Sequence, residues 1–116
     1  MAIERMQKSA RMSQIVVHDD VVYLAGQVAL EARDQSATAQ TQDILARIDT
    51  LLAEAGTDKS RLLSATIWLT DIRYYDEMNA VWDAWMDPAN PPARACVESK
   101  LATPKYDVEI MVTAAR

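Results

Sequence analysis

Leu62–Leu69 reads LLSATIWL. The run is rich in aliphatic, β-branched and aromatic residues and predicts a strand. Side chains alternate along a strand, so Ala65 and Ile67 point one way and Thr66 and Trp68 the other. Neither set is strongly polar, which puts this strand inside a mostly buried sheet. Downstream, Asp71 reads as the cap of a helix whose stripe is Met78, Val81, Trp82 and Trp85, at i, i+3, i+4 and i+7. Asp87-Pro88 and Pro91-Pro92 end that helix. Ala93–Glu98 is the next strand. Tyr106–Ala114 is the last, with Val108, Ile110 and Val112 on one face and Glu109, Met111 and Thr113 on the other.

Upstream, the hydrophobic period becomes helical from about Ala37. Ile44, Leu45, Ile48, Leu51, Leu52 and Ala55 share one face. Ser36 fits the N-cap, and Gly56 stands where a helix end wants a left-handed residue. Ile3–Met6, Gln14–His18 and Val21–Gly26 read as three further strands, the last two forming a hairpin around Asp19-Asp20. The order β-β-β-α-β-α-β-β predicts an α+β sandwich, one sheet with both helices packed on one face. Two helices cannot cover the other face. A bare apolar sheet face predicts homo-oligomerisation, with clefts shared between subunits.

The chain has 116 residues and a formal net charge of −5. That length predicts a single domain, 1–116. The 12 basic residues are scattered, which argues against a nucleic-acid partner. One cysteine excludes an intramolecular disulfide framework and a Cys-cluster metal site, and fits a reducing, cytoplasmic setting. No apolar run is long enough to span a membrane, and MAIERMQKSARMS lacks the apolar core of a signal peptide. With only Gly26 and Gly56, neither a Walker A loop nor a dinucleotide fingerprint can be written. The one histidine, His18, reads as a solvated turn residue, which leaves no partner for a catalytic triad.

Three residues carry possible chemistry. Arg94 lies in the strand after Pro91-Pro92. It reads either as an edge-strand ion pair or as a carboxylate clamp, since a guanidinium offers a planar fork and cannot lose its charge. Cys96 shares a sheet face with Arg94 and reads as a small buried residue rather than a nucleophile. Glu109 is the lone acid in VEIMV. If Arg94 and Glu109 line one cleft, they combine an anion clamp with an acid/base, which suits a small carboxylate substrate and an activated water.

The string PPARACVESKLATPKYDVEIMV resembles the C-terminal signature of the Rid family, the YjgF-like reactive-intermediate deaminases. VVYLAGQV resembles that family's strand ending in Gly-Gln, and TIWLTDIRYYDEMNAVWDAWM its strand, Asp and Asn-containing helix. The matches run in the family's order over nearly the whole chain. The resemblance implies a chorismate-mutase-like fold and a homotrimer with three clefts between subunits. It implies hydrolysis of 2-imino or enamine acids to 2-oxo acids and ammonia, with no metal or organic cofactor. By residue match, Arg94 clamps the carboxylate and Glu109 activates water. Cys96, Asn79 and Gly26 match other pocket positions. Met12 and Ala25 stand where the deaminase branch carries a tyrosine and a serine, so that end of the pocket is more apolar. The alternative this raises is a trimer that binds a small 2-oxo acid without turnover. Nuclease labels also attach to the family, and the acidic charge speaks against tight RNA binding.

Overall fold

The computed structural model describes residues 2–116. Seven strands form one mixed sheet: β1 (Ile3–Lys8), β2 (Ser13–His18), β3 (Val21–Leu24), β4 (Gln27–Val28), β5 (Leu62–Leu69), β6 (Ala93–Glu98) and β7 (Val108–Ala115). The spatial order is β1-β2-β3-β7-β5-β6, with β4 also paired to β7. Only β5 and β6 run parallel, joined by a crossover through the second helix. The helices are α1 (Ala37–Glu54) and α2 (Tyr75–Trp85). The expected α+β fold, one mixed sheet with both helices on one face, is the fold found.

The alternation of the strands decides which face the helices cover. Ile15, Val17, Val22, Leu24, Ala65, Ile67, Leu69, Val108, Ile110 and Val112 are buried. They meet Ile44, Leu45, Ile48 and Leu52 of α1 and Met78 and Trp82 of α2 in one core. Each Val, Leu, Ile or Met among them contributes roughly 1.5–3 kcal/mol on leaving water. Ser36 caps α1, its Oγ accepting from the Ala39 N–H at 3.1 Å. Gly56 takes φ +83° just past the helix end, as expected of a left-handed terminator.

The elements differ from the sequence expectation in four places. The first strand runs on to Lys8. The Val21–Gly26 run stops at Leu24, and the chain re-pairs with β7 at Gln27–Val28. Tyr23 pairs with Thr113 but Gln27 with Ile110, so one extra residue is accommodated between them as a bulge. Asp71 caps a 3₁₀ turn, Ile72–Tyr74, rather than α2 itself, which begins without a side-chain cap. The last strand starts at Val108. Tyr106 is buried but outside the ladder, because the Asp107 N–H donates to Gln40 Oε1 of α1 at 2.7 Å.

The opposite face carries no helix. It presents Val21, Tyr23, Val28, Thr66, Trp68, Ala95, Val97, Glu109, Met111 and Thr113, and Tyr23, Val97 and Met111 are exposed there. This is the mostly apolar, uncovered surface that the alternation in LLSATIWL and VEIMV predicts.

Candidate functional site

Arg94 is the second residue of β6, an edge strand. Its partner across the parallel ladder is Ala65, whose side chain is in the helix-side core. Arg94 therefore lies on the helix side, where α2 turns Tyr75, Asn79 and Trp82 (i, i+4, i+7) towards it. Nη1 donates to Asn79 Oδ1 at 2.7 Å, and Nη2 to the Tyr75 hydroxyl at 3.3 Å. The guanidinium carbon sits 5.4 Å from the Trp82 ring centroid and 5.9 Å from that of Tyr75. Neutral oxygens and aromatic faces thus hold the cation. Among the described residues no carboxylate forms an ion pair with it. Glu98, the acid on the same side of β6, is engaged elsewhere, accepting from the Ile72 N–H at 2.9 Å.

Cys96 follows on the same side, opposite Ile67. Burial pushes its thiol pKa up, and the Arg94 charge draws it back only in part. Such a thiol is mostly protonated at neutral pH, in keeping with a packing residue.

Glu109 occupies the other face. It pairs with Trp68 on one side and Val28 on the other, both on the open side of the sheet. Burial pushes its carboxyl pKa above the ordinary value of 4.5. No charge or hydrogen bond among the described residues offsets that. The bulge brings Gly26 against this carboxyl, and a Cβ on Gly26 would overlap Glu109 Oε2. Glycine leaves room there for the carboxyl, which would have to swing aside for any Cβ.

Ala25 is in the bulge, its N–H donating to the Gln14 carbonyl at 2.9 Å. Met12 lies at the tip of the β1–β2 hairpin, two residues before Gln14, with an exposed side chain. His18 is half-exposed at the hairpin end, 3.9 Å from Asp19 Oδ2.

The structure thus gathers Arg94, Cys96 and Asn79 into one cluster and Gly26 and Glu109 into another, separated by the sheet. The condition that Arg94 and Glu109 line one cleft is not met within one chain. Tyr75 and the Trp82 ring are members of the arginine cluster that the sequence reading missed. Their signal was the spacing to Asn79 along one helix stripe. Trp82 is also core, as its position in the apolar stripe predicts. A cavity of about 440 Å³ lies elsewhere, between the β1–β2 hairpin and α1, lined by Gln7, Gln14, Gln27, Asp43 and Arg47 among others. Neither Arg94 nor Glu109 lines it. Among the described residues no three His, Cys, Asp or Glu side chains converge as metal ligands. Among the described residues no helix is long and apolar enough to cross a membrane.

The site of this small α+β protein is thus split across a sheet shielded on one side, with an arginine that no described acid pairs on that side and a carboxyl without a charged or hydrogen-bonding partner on the other. The family profile described as Endoribonuclease L-PSP matches residues 2–116. A RutC family protein of Haemophilus influenzae is 45% identical over 114 residues, covering 98% of each chain. YoaB, a RutC family protein of Escherichia coli, is 41% identical over 115 residues, covering 99% of each. The crystal structure of a YjgF family member from Neisseria meningitidis is similar with a TM-score of 0.96 at 44% identity, covering 100% of this chain and 96% of that one. The chain belongs to the YjgF/RutC, or Rid, family, as its motifs imply.

Proposed function

We propose that this chain hydrolyses small 2-imino and enamine acids to 2-oxo acids and ammonia, at sites shared between the copies of a homotrimer. The observation that carries the reading is the Arg94 guanidinium, held by Asn79, Tyr75 and Trp82 without an acidic partner. Such a cation retains its fork for a guest carboxylate. Glu109 supplies the complementary chemistry. A carboxyl whose ionised form is disfavoured by burial is suited to passing a proton back and forth.

An imine carbon is already electrophilic, so the protein has to orient it and handle protons. Arg94 fixes the carboxylate. Glu109 takes a proton from water as the water oxygen bonds to C2, returns that proton to the nitrogen, and then relays the new hydroxyl proton to the amine so that it can leave. The resulting carbinolamine collapses, the C–N bond breaks, and ammonia leaves with the 2-oxo acid. An enamine first gains a proton at its terminal carbon. Gly26 leaves room for the Glu109 carboxyl, Asn79 aims Arg94, and Cys96 is a neutral wall. Met12 and Ala25 form the apolar end. No metal or organic cofactor enters the scheme. Since Arg94 and Glu109 lie on opposite faces of one sheet, each working site takes Glu109 from a neighbouring copy. The apolar open face is the packing surface of the trimer.

Met12 and Ala25 favour a second reading, because neither brings a hydroxyl to the ligand. In that reading the trimer binds a small 2-oxo acid without turnover. The two separate when 2-aminoacrylate is generated by a PLP lyase and pyruvate release is followed. Acceleration by the wild type that is lost in Glu109→Ala supports the deaminase. Equal acceleration by Glu109→Ala rejects it. No acceleration, with a pyruvate-induced thermal shift that Arg94→Ala abolishes, supports the binding trimer. That shift corresponds to about 2.7 kcal/mol at a hundredfold excess of ligand over Kd.

A further inference from the structure

We infer that Tyr75 is a specificity-determining residue of the Arg94 site, donating its hydroxyl proton to the heteroatom on C2 of the bound acid. The inference rests on the carboxylate-clamp role proposed for Arg94. Tyr75 is the first residue of α2 and is 39% exposed. Its oxygen accepts from Arg94 Nη2 at 3.3 Å, a long contact for an N–H···O bond. A phenol that accepts through its oxygen still has its own proton to give. Among the described residues nothing accepts that proton. Asn79 differs: its Oδ1 is held by Arg94 Nη1 at 2.7 Å, which makes it a positioning residue.

The consequence is a site with two kinds of donor side by side. The remaining guanidinium N–H groups meet the carboxylate, and the hydroxyl beside Nη2 reaches the neighbouring atom of the ligand. A 2-oxo or 2-imino acid has an oxygen or nitrogen at that atom, and a plain alkanoate has only hydrogens. Tyr75 therefore selects 2-oxo and 2-imino acids over alkanoates of the same length. A net hydrogen bond of ordinary strength makes this preference about three- to tenfold.

Pyruvate and propionate, which share a carboxylate and chain length, are titrated into the full-length protein and followed by nuclear magnetic resonance. Wild type, Tyr75→Phe and Arg94→Ala are compared, with thermal unfolding confirming that each is folded. The expected result is tighter binding of pyruvate than propionate by wild type. In Tyr75→Phe, pyruvate weakens about three- to tenfold while propionate is unchanged. Equal loss of both ligands in Tyr75→Phe would show that the phenol only steadies Arg94 and overturns the inference. So would a wild type without preference, or a Tyr75→Phe that keeps it. Unchanged binding in Arg94→Ala is a different result, which removes the clamp itself and the proposed function with it.

Discussion

Arg94 and Glu109 stand on opposite faces of the same sheet. Arg94 is in register with Ala65 on the helix side, and Glu109 with Trp68 on the open side. Rotamer changes cannot carry a side chain through a hydrogen-bonded sheet. If the two groups serve one reaction, they belong to different copies of the chain, and assembly becomes part of the active site.

The polarity of Asn79 is the first testable consequence. Asn79→Asp is nearly isosteric and gives Arg94 an internal counter-ion. Melting temperature is expected to hold or rise, while the pyruvate-induced thermal shift disappears. Asn79→Ala leaves the inner N–H of a half-buried guanidinium unpartnered and should cost about 1–2 kcal/mol of stability, with weaker anion binding. Undiminished pyruvate binding by Asn79→Asp would contradict the open-cation account.

Gly26→Ala tests the close approach behind Glu109. The added Cβ overlaps the carboxyl, so either the carboxyl or the bulge must move. The overlapped atom is the far end of a flexible side chain, so the carboxyl swings aside at little cost in stability and the effect falls on its placement. Turnover is expected to fall at least tenfold with little change in pyruvate affinity, because the displaced group is the acid/base and not the clamp. Steady-state kinetics beside a binding titration would read this, and unchanged kcat would count against it.

Cys96 reports the field of Arg94. Burial raises the thiol pKa above 9.0 and the arginine charge lowers it, burial being the larger effect. Alkylation should therefore be slow at neutral pH and rise with pH through an alkaline midpoint, since only the thiolate reacts. Arg94→Met keeps bulk but removes the opposing charge. The midpoint should move further up, and the rate at pH 8 should drop about two- to fivefold. A midpoint that moves down would mean that the cation does not face the thiol.

Much of this architecture is legible in the amino acids. Ser36 and Gly56 bracket α1 because cap chemistry is local. Alternation in VEIMV separates Glu109 and Met111 from Val108 and Ile110, because a strand fixes its own two faces. The relative facing of different strands is another matter. That Arg94 and Cys96 share a side follows from β6 alone. That this side is not the one bearing Glu109 depends on the registers Ala65 with Arg94 and Trp68 with Glu109, which are tertiary. The bulge at Ala25 and Gly26 is hidden for the same reason: it exists only against β7. Asp71 has cap chemistry but caps a 3₁₀ turn rather than α2 itself, a difference to which sequence boundaries are blind.

The open face offers a test of assembly. Met111 is 40% exposed there. Met111→Glu should leave secondary structure intact by circular dichroism and separate the proposed trimer into single chains by light scattering, since an unpaired charge buried at an interface costs about 3–5 kcal/mol. Turnover should be lost with assembly. A trimer that survives would place the contact surface elsewhere.

The most direct measurement mixes two inactive proteins. Arg94→Ala and Glu109→Ala chains are unfolded together in equal amounts, refolded into mixed trimers, and assayed for pyruvate release from 2-aminoacrylate. If each site takes Arg94 from one chain and Glu109 from its neighbour, random assembly leaves about a quarter of the sites with both groups, and activity returns to about a quarter of the wild-type level. A mixture as inactive as either parent, while the wild type refolded in the same way is active, would contradict the shared site.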